Sequence, residues 1–367
     1  MSDWPNPGGP ASNAPPNIAI SSGQTIAWNK GGEGTRLLAP PIISNGFIYL
    51  YNGRAVAAYD LQSGKRAWST GLAQKNKDAA LTPGGGIATD GRNVYVATSL
   101  RTLVALDALT GQQVWLKNTN EPARSAPTVA DGRIYVVSTA SVVSAYSVGD
   151  GAELWRYAGV INSGGLVSAS SAAVSGNLVI VPFASGELVA LNVTNGTPSW
   201  AGSLVGGSAV SGVTRGLSDV AARPVISNGF VYAGSVGGKF VSIREQNGEK
   251  IWEQNVPTSN TPSVGGDGVY VLSLSGDLYA LDVASGAVRW SSPLPKNNDK
   301  RTVWAGPVFA NSSLWLISSN GKLVSVDAST GLLLSEKELR EGSSLSPIAA
   351  GGKLVVATAS GGLIALQ

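Results

Sequence analysis

Leu103–Trp115, LVALDALTGQQVW, encodes two strands and the turn between them. Leu103–Leu106 is apolar at every position, which suits a strand buried on both faces. Asp107–Gly111 supplies turn chemistry: Asp and Thr side chains bond local backbone, and Gly accepts a positive φ. Gln112–Trp115 opens a second strand that ends on a large aromatic. The same phrase returns along the whole chain.

Aligned on the turn glycine and the Trp four residues later, the copies end at Trp68, Trp115, Trp155, Trp200, Trp252 and Trp290. One further copy, KLVSVDASTGLLLS, carries Ser335 where Trp is expected. The glycines are Gly64, Gly111, Gly151, Gly196, Gly248, Gly286 and Gly331, spaced by 47, 40, 45, 52, 38 and 45 residues. A period in the forties with strand patterning points to a β-propeller, one blade per repeat. A hairpin phrase sits between these copies. It begins at Pro41 (PIISNGFIYLY), Gly86, Pro127, Ser171, Pro224 (PVISNGFVYAG), Pro262, Pro307 and Pro347. Asn-Gly or Asp-Gly between apolar runs is a strong hairpin signal. Eight hairpins predict an all-β fold: an eight-bladed propeller of four-stranded antiparallel blades.

The two ends complement each other. The C-terminal GLIALQ offers a third strand with no fourth, and SSGQTIAW, Ser21–Trp28, offers a fourth with no third. Gln24–Trp28 is therefore predicted to pair beside Leu363–Leu366 and close the ring, which protects sheet edges. Residues 1–16, MSDWPNPGGPASNAPP, read as a flexible or extended leader rich in Pro and Gly, with Trp4 as a candidate to dock. Residues 17–367 read as a single propeller domain.

Composition narrows the function classes. Hydrophobic residues make up 43% and charged residues only 13%, which fits strands sandwiched between blades. A net charge of +3 without a concentrated basic stripe argues against nucleic-acid binding. Cys and His are both absent, so thiol nucleophiles, disulfides and His or Cys metal ligands are excluded. No apolar run approaches the roughly 18 residues that span a membrane.

The loops are asymmetric. With strands A to D counted outward from the axis, the A–B and C–D turns are short and share one face. The D-to-A links are long: 69–85, 116–125, 157–169, 202–222, 253–261 and 292–305. They share the opposite face with the B–C turns and surround the channel mouth. Long loops on a rigid scaffold are where binding tends to sit. Residues 202–222 carry Leu204, Val205, Val210, Val213 and Leu217 beside Arg215 and Asp219. Residues 157–169 carry Val160, Ile161, Leu166 and Val167. Apolar loop residues rimmed by polar ones suggest a protein partner; the alternative is that they fold back onto the blades. The basic run 295–301, PKNNDKR, reads as a solvated loop.

The recurring A/S-x-D/N-x-x-x-G-x-x-x-W resembles the quinoprotein (pyrroloquinoline-quinone-like) propeller repeat over residues 20–367. That resemblance implies a structural role for Trp68, Trp115, Trp155, Trp200, Trp252 and Trp290, docked between adjacent blades, with a weaker contact at Ser335. Quinone-dependent dehydrogenases use this repeat as enzymes, holding the quinone with calcium and carboxylates. Here Asp60, Asp107, Asp282 and Asp327 belong to the repeat turns instead. Arg215–Gly234, RGLSDVAARPVISNGFVYAG, is similar to a segment of the BamB family, as are Val303–Gly321 and the Asp3-Trp4-Pro5 leader.

This second resemblance implies a non-catalytic scaffold with no cofactor or metal, lipid-anchored on the periplasmic face of the outer membrane and monomeric alone. Its partner would be the POTRA region of a barrel-inserting subunit, with unfolded outer-membrane proteins as further candidates. The implied contact residues are Arg215, Leu217, Ser218, Asp219, Leu166 and Val167. Ala221 stands where the family has a second acidic residue. The expectation at Asp219 is that Asp219→Lys weakens partner capture and leaves the fold intact. The alternatives are a quinone-dependent oxidoreductase, or a propeller that binds another peptide or a glycan.

Overall fold

The computed structural model describes residues 3–21, 25–32, 39–72, 84–160, 170–205, 219–296 and 302–367. It is all-β, with no helix among the described residues, and holds eight four-stranded antiparallel sheets. Blade 1 is typical. Its strands are β2 (Ile42–Ser44), β3 (Phe47–Tyr51), β4 (Ala55–Asp60) and β5 (Arg66–Gly71), in that order outward. Blades 2 to 7 repeat the pattern in sequence order. The inner strands that open them are β6 (Gly85–Thr89), β10 (Thr128–Ala130), β14 (Ala173–Ser175), β18 (Val225–Ser227), β22 (Ser263–Gly265) and β26 (Trp304–Ala310). Successive inner strands lie side by side around the axis.

Blade 8 is shared by the two ends. Its strands β30 (Ile348–Ala350), β31 (Lys353–Ala357) and β32 (Leu363–Leu366) are completed by β1 (Ile26–Lys30). The pairs are Ile26↔Leu366, Trp28↔Ala365, Asn29↔Ile364 and Lys30↔Leu363. The closing strand thus runs two residues past Trp28, and Gln24 lies outside the described residues. The reason is geometric: Trp28 takes the blade-docking position, and the strand continues beyond it as in the other blades.

The hairpins take the backbone that their sequences demand. Asn45-Gly46, Asp131-Gly132 and Asn228-Gly229 all have positive φ at both central residues, the primed turn that suits twisted strands. The repeat glycines meet two demands at once. Gly196 has φ +71, and a Cβ placed there would lie 2.5 Å from the Trp155 ring. Each repeat Trp lies over the turn glycine of the next blade. Its indole N–H donates to a carbonyl there: Trp68 to Ala108, Trp115 to Val148, Trp155 to Val193, Trp200 to Glu245, Trp252 to Val283 and Trp290 to Ala328, at 2.7–3.1 Å. Trp28 makes the same contact from blade 8 to Leu61 and Gly64 of blade 1.

At Ser335 the docking is lost, and its hydroxyl pairs with Ser325 inside its own blade at 2.5 Å. The seam between blades 7 and 8 is bridged nearer the axis. There Asn311 exchanges hydrogen bonds with Ile20, and Ser21 N–H donates to Gly352 O at 3.0 Å.

The leader corrects the expectation of a flexible segment. Residues 3–21 lie along the free inner edges of the blades. Trp4 exchanges both backbone hydrogen bonds with Ile43. Pro5 O accepts from Thr89 N–H, Ala11 O from Val174 N–H, and Ser12 O from Ile226 N–H. Asn6 Oδ1 accepts from Val129 N–H at 2.8 Å. Ile43, Val129, Val174 and Ile226 hold equivalent positions in their hairpins, so one segment caps the same donor in four blades. Innermost strands otherwise present unpaired N–H groups in a narrow channel, which is costly. The cause lies in this pairing: Trp4, Asn6 and Asn13 are 3, 1 and 1% exposed. The leader is thereby a stopper at the short-turn end of the channel.

The short-turn carboxylates cap their own turns. Asp60, Asp107 and Asp327 each accept N–H and hydroxyl hydrogen bonds from the following Ser or Thr residues. These bonds hold all three below the usual carboxylate range, as Ala152 N–H does for Asp150, and as Arg289 and Ser285 do for Asp282. A depressed folded-state value contributes stability above the unfolded value near 3.9, which is lost as pH falls through the folded one. The melting temperature is therefore expected to be insensitive to these groups from pH 8 to about 5 and to fall below about pH 4. Replacing Asp60, Asp107 and Asp327 by Asn should flatten that acid limb in a pH series of thermal melts. An unchanged limb would remove these caps as its cause.

Candidate functional site

The long-link mouth is built from the ends of the D-to-A links, just before each inner strand. Asp219, at the end of the blade 4-to-5 link, faces Arg124 of the blade 2-to-3 link. Arg124 Nη2 donates to both carboxylate oxygens, at 2.6 and 2.7 Å. The two side chains are 5% and 0% exposed. The pair therefore reaches over the intervening link and ties non-adjacent links together. Two hydroxyls reinforce the same floor: Ser170 donates to Ala222 O and Ser171 to Ala126 O, both at 2.9 Å. Val236 N–H donates to Asp219 O at 3.2 Å, which fixes the backbone as well.

Asp219 was expected on the surface, and its carboxylate is turned inward instead. Val220 and Ala222 beside it are fully buried, and Val220 packs in one cluster with Leu204 and Trp200. The physical reason is that small, apolar neighbours let the link end sink into the mouth, where Arg124 pairs with the charge. Asp219→Lys cannot then leave the fold intact, because it would set two buried cations face to face. Leu204 folds back onto its blade at 1% exposure, whereas Val205 and Val160 stay exposed at 48 and 59%. Arg215, Leu217, Ser218, Leu166 and Val167 lie outside the described residues, as do Val210, Val213 and Ile161. Leu204 and Asp219 flank residues 206–218 in the chain, and both are buried.

Two functional candidates escaped the sequence reading, Arg124 and Arg223. Each stands just ahead of an inner-strand proline, in PARSAP and in AARP. That signal was available: a cation three residues ahead of, or directly before, the inner-strand proline, beside small residues, at the point where the chain turns towards the axis. No cluster of His, Cys, Asp or Glu that could hold a metal ion occurs among the described residues. Nor is any helix long and apolar enough to cross a membrane.

The family model for outer membrane protein assembly factor BamB matches residues 52–292 and, in a second alignment, 254–367. The chain belongs to the BamB family. Among BamB relatives, the outer membrane protein assembly factor of Moranella endobia is 26% identical over 334 residues, covering 88% of this chain and 83% of the relative. The crystal structure of BamB from Moraxella catarrhalis superposes with a TM-score of 0.75 at 20% identity, over 88% of this chain and 94% of that one. The quinohemoprotein alcohol dehydrogenase of Comamonas testosteroni superposes equally well, with a TM-score of 0.77 at 17% identity, over 98% of this chain and 77% of that one. At such identities structural likeness speaks to the ring alone. It is the BamB family match that separates this chain from the dehydrogenases sharing its architecture.

Proposed function

We propose that this chain is a non-catalytic scaffold for outer-membrane protein assembly. It docks through its long-link face onto the POTRA region of the barrel-inserting subunit, in the periplasm. The observation that carries this reading is the BamB family match across residues 52–292 and 254–367. The mouth supports it: Leu204 and Asp219, which flank residues 206–218, are fixed by core packing and by a buried ion pair. The leader supports it too. Asp3 is exposed at the A–B turn of blade 1, where its carboxylate accepts from Ser44 Oγ at 2.9 Å. A lipid anchor preceding Met1 would therefore tether the short-turn face and leave the link face free.

The test is affinity capture from native membranes with the tagged chain. It should recover the barrel-inserting subunit. Replacing Arg215, Leu217 and Ser218 by Gly should reduce that recovery at least tenfold with an unchanged circular dichroism spectrum. Replacing Leu166 and Val167 by Ser should reduce it less. Undiminished capture by the first variant removes the 206–218 loop as the contact; no recovery by the unaltered chain sinks the scaffold reading itself.

A further inference from the structure

The outermost strand of blade 7 departs from its counterparts in two ways at one place. This strand, β29 (Leu333–Glu338), comes last in the order β26-β27-β28-β29, so no strand lies on its outer side among the described residues. The first departure is Ser335, which leaves β29 without the indole that ties each other outer strand to the next blade. The second is on the surface. Leu332, Leu333 and Leu334 are 66, 48 and 55% exposed.

The repeat itself supplies the comparison. In each other blade at most one of these three positions is a large apolar residue, and the rest are charged, polar, Pro or Ala. Blade 1, for example, carries Lys65, Arg66 and Ala67 there. Charged residues and Pro on an edge strand keep it from pairing with other chains, and β29 begins without them. Its acids come later and are answered from inside the blade, where Lys322 Nζ is 2.6 Å from Glu336 and 3.8 Å from Glu338. The start of β29 therefore offers a free backbone edge beside a neutral, apolar surface. Val288 and Ile26 hold the register of Leu333 in the flanking blades and are exposed too, which widens that surface.

This combination suits one kind of ligand. A free edge takes an extended segment through main-chain hydrogen bonds, and contacts to alternate side chains give specificity. Side chains on one face of a strand recur every ~7 Å, so three leucines cover about two of them. We propose that the outer edge of β29 binds an extended polypeptide segment of alternating apolar and polar residues by strand addition. Leu332, Leu333 and Leu334 cover the apolar face of that segment. Transmembrane β-barrel strands have this alternation, so the natural ligand is an unfolded barrel strand. The naming of that ligand rests on the scaffold reading; the site does not.

The probe is a fluorescein-labelled peptide of about ten residues that alternates Val with Thr, titrated into the full chain by fluorescence anisotropy. Saturable 1:1 binding is expected. Replacing Leu332, Leu333 and Leu334 by Lys, Arg and Ala, as in blade 1, should weaken it at least tenfold with an unchanged melting temperature. A peptide of the same composition with its Val residues grouped, and an N-methylated peptide without amide donors, should each bind at least tenfold more weakly. Equal affinity in the triple variant overturns the site. Equal affinity for the N-methylated peptide overturns strand addition. A chain that self-associates through these leucines in sedimentation and takes no peptide assigns the edge to a second copy and overturns the proposal. Capture of the barrel-inserting subunit is a separate readout: peptide binding without capture keeps the edge and sinks the scaffold reading, and capture without peptide binding does the reverse.

Discussion

A chain that begins at Gly31 is expected to lose most or all of its stability. Such a truncation removes β1, and with it the Trp28 contact to Leu61 and Gly64 that seals blade 8 to blade 1. It also removes Trp4, Ile18 and Ile20, which are 3, 4 and 6% exposed. Burying each such side chain contributes about 1.5–3 kcal/mol, so these three and Trp28 together contribute on the order of 6–12 kcal/mol. Domains are stable by only about 5–15 kcal/mol, so the loss is comparable to the whole. The edges of β32 and of the inner strands would be bared as well, which favours aggregation. Urea denaturation of the truncated and full chains decides it. A transition midpoint unmoved by the truncation would contradict both the ring closure and the stopper. A shorter truncation that starts at Asn17 separates the two, because it spares the closing strand and removes the Trp4 anchor. It should cost about 3–5 kcal/mol, the usual range for losing a buried aromatic.

The second large effect is expected at the mouth. Asp219→Ala leaves the Arg124 guanidinium buried without its carboxylate, and Arg124→Ala leaves the carboxylate without its cation. Breaking a buried pair from either side costs about 3–5 kcal/mol. Replacing both at once, Arg124→Met with Asp219→Leu, should cost much less than the sum, because apolar isosteres remove the desolvation penalty along with the attraction. A double-mutant cycle from urea midpoints gives the coupling. Additive costs in that cycle would mean that the two side chains do not act as a pair. Partner capture by the double replacement is then informative. Retained capture would show that Asp219 serves the docking loop only by holding its root.

Most of the ring was legible because its determinants are local. Asp107 to Trp115 contains a turn cap, a positive-φ glycine and a docking aromatic within a few residues, and the repeat makes the reading robust. The site was less so. Asp219 looks like a surface acid in RGLSDVAARP, because its partner Arg124 is 95 residues away in sequence, on a link that is not its neighbour. The leader misled for a related reason. Its Pro, Gly and Asn residues show no period, so they read as unstructured. Its hydrogen bonds go to Ile43, Thr89, Val129, Val174 and Ile226 in five different blades, donors that exist as a group only once the ring has closed.

Strand, turn and blade number therefore follow from short-range chemistry repeated along the chain: alternating burial, left-handed glycines and a Trp four residues past each turn. Which polar groups end up facing the axis is a different matter. Arg124 meets Asp219, Asn6 caps Val129, and Arg223 shares a cavity with Trp4 because closing a circle brings together the start of every blade. No local pattern encodes that meeting. The cost of leaving buried charges and amides unpaired is set by the assembled channel, and it alone decides which partners they take.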